Sequence, residues 1–403
     1  MMDTINHSGA HVPLSNSDTA PTSFVQVLPD SPFSLQNLPF GIGKPKKGDD
    51  QTPRVYSRIG NYAVDISVFE EAGYFKDTTL DGRQMFKKSS LEEFISAGPE
   101  AHRQVQEVLA DVLRFDRPMW LDQPELRDKA LTLLEMVEMQ LPMAHHETRL
   151  MSTSRSSSMV YHLGNFEKGD SSGLDKNISA QVPVKVGREI LLDHHGDRML
   201  PEMQESELRT PKEAGLAYLC GPRRDAKGEG ESLSQSKSHS NQQIIGVTAA
   251  MILTDEHPDR DNTKAPPHIF LSPWVTLLDR LTRFISPQTD DGLAAGAVLE
   301  FNVSVQQLDN HLNVKDEHIT QVAFPIGNPV DIFSLGNDKN LSIQSGDLML
   351  SRPAKSQPES PALTTMHPLA ALTEGLNEGY VHISAHGDTG EIHLGTGGLL
   401  IRR

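Results

Sequence analysis

Three runs in this 403-residue chain carry side chains that could do chemistry. His145-His146-Glu147, Asp193-His194-His195 with Asp197, and Glu256-His257 combine imidazole with carboxylate, a donor set suited to zinc or iron. Adjacent histidines project in different directions on either a helix or a strand, so none of these runs is a chelating pair. With 17 histidines in the chain, solvated loop residues are the expectation for all three. His382 and His386 are four apart but flank Ile-Ser-Ala at an expected strand end, where that spacing does not bring two rings together. Cys220 is the single cysteine; its apolar run LAYLC predicts a packed thiol, and one cysteine allows no internal disulfide. GTGG at Gly395 to Gly398 leaves no room for a following helix, so it predicts a turn rather than a phosphate cradle.

The composition narrows the partners. A formal charge of −17 repels phosphate backbones, and no cluster of Lys and Arg interleaved with aromatics overcomes it, so nucleic acid is not expected. Mean hydropathy is −0.40, and no apolar run is long enough to span a bilayer, so no membrane partner is expected either. The opening residues, MMDTINHSGAHVPLSNSDTAPTS, lack the pattern of a secretory signal and the arginines of a transit peptide, which predicts a cytoplasmic protein.

The elements that must position any site follow from the patterning. Residues 1–29 are rich in Ser, Thr, Asn and Pro and predict a disordered tail. RVYSRIGNYAVDISVF from Arg54 alternates around an Ile-Gly-Asn turn and predicts a β-hairpin within a small barrel. Ser90-Leu-Glu-Glu reads as a capping box opening a helix that continues to Leu113 past a Gly-Pro interruption; a second helix is expected from Pro124 to Gln140. Beyond Pro142, VPVKVGREILL, EAGLAYLC and QQIIGVTAAMIL predict strands, the last with a helix start as its alternative. VLEFNVSVQQL, ITQVAFPI, LSIQSGDLML and YVHISA return to β-like alternation. Polar stretches at 149–181, 193–210 and 227–241 predict long loops.

SPFSLQNLPFGIG from Ser31, RVYSRIGNYAVDIS from Arg54 and LEEFISAGPEAHRQVQEVLADVL from Leu91 together resemble the fumarylacetoacetases, the C–C hydrolases that end tyrosine breakdown. The first run resembles that family's opening, the second its first hairpin, and the third its first helix. Later matches keep family order: AYLCGP at Ala217 to Pro222, IIGV at Ile244 to Val247, LSPWV at Leu271 to Val275 with LLDRLTRF, and SGDLML at Ser345 to Leu350. The resemblance implies a mostly β protein with some helix. A small SH3-like N-terminal barrel over 30–141 would precede a mixed β-sandwich roll over 142–403, commonly assembled as a homodimer.

The chemistry that this resemblance implies needs several oxygen ligands on a divalent cation, a histidine and glutamate to activate water, and a cation to hold an oxyanion. Aligned on Leu141-Pro142 and Ser154-Arg155, the family's first aspartate falls on Leu150 and its histidine on Ser157. A shifted register would recruit Glu147 with His145 or His146 but breaks the Ser-Arg match. The Glu-x-Glu pair falls on Glu213 and Gly215, and the fourth ligand on Ile252, with Asp255-Glu256 about three residues late. The lysine falls on Ala265 beside Lys264, and the catalytic glutamate nearest Thr364 or Thr365, with Glu359 a substitute only if its loop is remodelled.

Glu213 is thus the only matched metal ligand, no catalytic residue is assigned, and no cofactor is expected; Mg²⁺ or Ca²⁺ would be the cation of a functional site. Two functions compete. One is a catalytically impaired fumarylacetoacetase-like accessory factor in tyrosine, phenylalanine and homogentisate catabolism, with another pathway enzyme as partner. The other is an active C–C hydrolase or related fold member with relocated site residues.

Overall fold

The computed structural model describes residues 23–25, 27, 33–116, 123–144, 147–152, 158–164, 182–187, 191–192, 198–199, 211–222, 242–253, 268–287, 297–309, 313–333, 343–353, 365–369, 379–387 and 390–397. The protein is mostly β. In chain order the first part contains β1 (Phe40–Pro45), β2 (Arg54–Ile59), β3 (Tyr62–Asp65), α1 (Ile66–Glu71), α2 (Glu92–Ser96), α3 (Pro99–Leu113), α4 (Pro124–Ala130), β4 (Leu131–Leu133) and β5 (Val137–Gln140). Then follow β6 (Glu147–Ser152), β7 (Ser158–Gly164), β8 (Val184–Val186), β9 (Leu191–Leu192), β10 (Arg198–Met199), β11 (Pro211–Pro222), β12 (Gln242–Leu253), β13 (His268–Leu271), β14 (Trp274–Leu277), α5 (Leu278–Leu281) and β15 (Ile285–Pro287). The chain ends with β16 (Ala297–Leu308), β17 (Val314–Ile326), α6 (Pro329–Ile332), β18 (Leu348–Pro353), β19 (Met366–Pro368), β20 (Gly379–Gly387) and β21 (Gly390–Gly397).

One large sheet runs β4-β3-β2-β1-β14-β12-β11-β18-β7-β6, and a smaller one runs β15-β16-β20-β21 with β17 on β16. The motif NLPFGIG shows why the large sheet is continuous. Phe40 and Gly41 pair with Val275 and Trp274 of β14, while Ile42 to Pro45 pair with β5. A Cβ on Gly41 would stand 2.6 Å from the Pro273 carbonyl, and one on Gly43 would stand 2.4 Å from Val137 Cγ1. Those two glycines let three strands crowd onto one. Arg58 reinforces the junction, its guanidinium 3.7 Å from the centre of the Phe33 ring and within cation–π reach of Trp274.

The long strands β11 and β12 separate two cores. Ala214, Leu216, Tyr218, Cys220, Val247 and Ala249 face Leu299, Phe301, Val303, Val305, Val381 and Ile383 of the smaller sheet. Ala217, Leu219, Ile245, Ala250 and Ile252 face the other way, toward Phe94, Val105 and Leu109 of α2 and α3. Burial on both faces explains why EAGLAYLC and QQIIGVTAAMIL read as unbroken apolar runs, and QQIIGVTAAMIL is a strand throughout.

Four local expectations need correction. The hairpin over Arg54 to Asp65 forms, but ISVF continues as α1 because the Asp65 carboxylate caps it, accepting from the Ser67 amide at 3.0 Å. The capping box is shifted: Leu91 is the N-cap of α2, and Ser90 Oγ instead accepts from the Glu92 amide at 3.2 Å. The helix expected over Pro124 to Gln140 stops at Ala130, because Leu131–Leu133 pair with β3 and Val137–Gln140 with β1, and sheet pairing overrides helical spacing. Gly395 to Gly397 lie in β21, paired to β20, rather than in a turn. Near the N-terminus, Ser23 bridges Arg114 and Val25 is buried, so packing starts ahead of residue 30. Among the described residues, no helix is long and apolar enough to cross a membrane.

Candidate functional site

The strands that would carry a reaction centre lie side by side, and their registers locate each candidate. Leu150 of β6 is opposite Tyr161 of β7, which is opposite Leu350 of β18. Tyr161 and Leu350 are fully buried in the core beneath α2 and α3. Glu213 lies between Ile252 of β12 and Pro368 of β19, and Gly215 between Ala250 and Met366. Glu213 is 6% exposed and Ile252 0%.

Position 215 is closed to any side chain. A Cβ there would stand 1.9 Å from the Thr365 carbonyl oxygen, a backbone atom that cannot swing aside. Thr365 is itself held by a clasp: its Oγ1 accepts from the Ser351 amide at 2.9 Å, and its amide donates to Ser351 Oγ at 3.0 Å. Its carbonyl accepts from the Leu216 amide at 3.0 Å. Thr365 is one of the two positions matched to a catalytic glutamate, and here its hydroxyl is committed to the backbone.

Magnesium or calcium needs about six oxygen ligands. Positions 213, 215 and 252 supply one carboxylate, and among the described residues no three His, Cys, Asp or Glu side chains converge to hold a metal. The described residues do not fit a hard divalent cation. Ser157, His145, His146, Asp193 to His195, Asp197, Asp255 to His257, Lys264, Ala265, Glu359 and Thr364 lie outside the described residues, as do 165–181 and 227–241; the loops expected over 149–181 and 193–210 are corrected where β6 pairs with β7 and β10 with β9, since sheet pairing overrides their polar composition. His382 and His386 both lie within β20, opposite Ser304 and Glu391, where four residues of strand separate them by about 13 Å.

Sequence reasoning missed one buried polar pair. His162 Nε2 of β7 lies 2.7 Å from Asp347 Oδ2, both almost completely buried, and the same oxygen accepts from the Gln344 amide at 2.8 Å. A Cβ on Gly164 would meet Asp347 Oδ1 at 2.3 Å, so that glycine admits the carboxylate. The Cys220 amide donates to the Asp347 carbonyl and the Cys220 carbonyl accepts from Gly346, which ties the turn to β11. Burial, with the Asp347 charge adding, pushes the Cys220 thiol well above its ordinary pKa, so it is a packing group as its sequence predicts. SGDLML contained the aspartate, but nothing in the sequence paired it with a histidine 185 residues away.

The opposite end of β12 borders a cleft of about 290 Å³ between α3, β12 and α5, lined by His102, Ile244, Ile245, Leu278 and Asp279 among others. His102 bonds the Phe94 carbonyl at 2.9 Å, and burial lowers its pKa to about 4, so the ring is neutral there.

The fumarylacetoacetase N-terminal family model matches residues 36–142. The fumarylacetoacetase of Aspergillus fumigatus is 31% identical over 303 residues, covering 67% of this chain and 67% of that protein. The chain belongs to the fumarylacetoacetase family. The Arabidopsis thaliana fumarylacetoacetase is 35% identical over 121 residues, and this match spans 30% of the chain but only 28% of that relative's length. The chain thus spans under a third of the length of the first curated relatives it matches. A maleylpyruvate hydrolase from Sphingobium sp. SYK-6 aligns over 89% of this chain and 98% of its own, at TM-score 0.33 and 12% identity, a likeness that carries no argument.

Proposed function

We propose that this chain is a catalytically impaired fumarylacetoacetase-like protein, acting as an accessory or interaction factor in tyrosine, phenylalanine and homogentisate catabolism. The observation that carries this reading is Gly215, where the Thr365 carbonyl takes the space a second carboxylate would need, so that Glu213 supplies the one carboxylate among positions 213, 215 and 252. One carboxylate does not retain a doubly charged cation that needs several oxygens. Its partner is another enzyme of that pathway, met in the cytoplasm. Domains over 30–141 and 142–403 and homodimeric assembly are part of the same proposal.

Titration calorimetry with Mg²⁺ and Ca²⁺, paired with an assay for loss of fumarylacetoacetate, tests the reading; no binding and no turnover are expected. Pull-down with tyrosine-pathway enzymes should recover a specific complex. Glu213→Ala should leave that complex intact. The second reading, an active metal-dependent C–C hydrolase with relocated ligands, is favoured by 31% identity over 303 residues with a fumarylacetoacetase. It needs carboxylates such as Asp255 or Glu256 to join Glu213, and tight cation binding with turnover would establish it.

A further inference from the structure

The two unions that β11 makes on its outer edge are different in kind. Near its middle, Tyr218 and Leu219 pair with Met349 and Leu348 of β18. Nearer its start, β18 has left and β19 takes its place, with Glu213, Ala214 and Gly215 opposite Pro368, His367 and Met366. Thr365, which directly precedes β19, reaches both β18 and β11. It does so with five hydrogen bonds: two through the Ser351 clasp, two to the Ser351 carbonyl from its amide at 3.0 Å and its hydroxyl at 3.5 Å, and one that the Thr365 carbonyl accepts from the Leu216 amide at 3.0 Å. Thr365 is 1% exposed, Ser351 0% and Met366 1%. Reaching Leu216 brings that carbonyl to within 1.9 Å of the place a Gly215 Cβ would occupy. The glycine and the clasp therefore require each other: any side chain at 215 drives Thr365 off β11, and any withdrawal of Thr365 strands the Leu216 amide in a dry interior.

We propose that the Ser351–Thr365 clasp and β19 form a built-in seal on the Glu213 edge of β11, so that neither cation nor substrate enters where the family resemblance places a reaction centre. The inference rests on the accessory reading for its setting but makes a separate claim, about access rather than about the loss of ligands. A missing carboxylate could be restored by one substitution, whereas a sealed edge cannot, because the space for the new side chain belongs to the chain's own backbone.

Hydrogen exchange on the full chain tests the seal without any variant. The Leu216 and Thr365 amides should exchange within about tenfold of amides at the centre of β12, and excess calcium chloride or a β-diketone should not alter them. Exchange faster than that by about a hundredfold or more, or slowing of it by calcium, overturns the seal. Gly215→Ala, the smallest possible intrusion, should release both amides to fast exchange wherever the variant still folds; a folded variant with unchanged protection also overturns it. The outcomes separate the two claims. Turnover of fumarylacetoacetate that survives Glu213→Ala with both amides protected defeats the accessory reading alone, turnover that Glu213→Ala abolishes defeats the seal as well, and fast exchange without turnover defeats the seal alone.

Discussion

The two ends of the β11–β12 ribbon are built from similar apolar residues yet are opposite in character. At one end, Glu213, Gly215, Ala250 and Ile252 are closed by the Ser351–Thr365 clasp, with backbone in the place of a side chain. At the other, Ile244 and Ile245 border a cleft of about 290 Å³ whose far wall is α3 and α5. Within one pair of strands, exposure depends on what the rest of the chain lays against each end, and a strand's own composition does not reveal it.

The largest expected effect lies at the closed end. Gly215→Glu should destabilise the fold by more than about 4 kcal/mol, since overpacking and an unpaired buried charge add together. Urea unfolding would measure it, and a stable Gly215→Glu protein that binds calcium would erase the contrast between the two ends. Asp347→Ala should cost roughly 3 kcal/mol by leaving His162 and the Gln344 amide without their buried acceptor. A loss under about 1 kcal/mol would show that the turn before β18 is not pinned by this pair.

At the open end, His102 provides a pH test of comparable size. Its ordinary pKa of 6.5 falls to about 4 in the folded protein through burial, so between those values the unfolded chain binds the extra proton. Its contribution is present above about pH 6.5 and is lost as pH falls toward 4, an effect of roughly 3 kcal/mol. Stability measured against pH should be flatter over that window in His102→Gln than in the unsubstituted protein. Equal slopes would mean that His102 is not desolvated beside the cleft.

Thr365→Val should cost roughly 1–2 kcal/mol, because the fully buried Ser351 amide loses this acceptor. Thr282→Ala, on the exposed rim of the cleft, should fall within about 0.5 kcal/mol of no change. A larger penalty at Thr282 than at Thr365 would reverse the assignment of closed and open ends.

Much of the strand framework was legible because it depends on patterns that are local. Arg54 to Asp65 announced a hairpin through alternation and a Gly-Asn turn, and QQIIGVTAAMIL a buried strand through unbroken apolarity. Leu131 to Gln140 misled because leucines at helical spacing also satisfy two short strands, and pairing with β1 and β3 settled the matter. The Glu213 position could be matched by counting back from Gly221-Pro222, but its neighbours across the sheet could not be known from one strand.

Residue types and their order were enough to establish an acidic, strand-rich chain, its family likeness and the presence of glycine rather than glutamate at position 215. Three-dimensional packing alone decided that Thr365, 150 positions later, would place its carbonyl against that glycine, and that His162 would meet Asp347. The reason is physical: alternation and turn preference act over a few residues, whereas steric closure arises between strands that are distant in the chain and adjacent only after the sheet has formed.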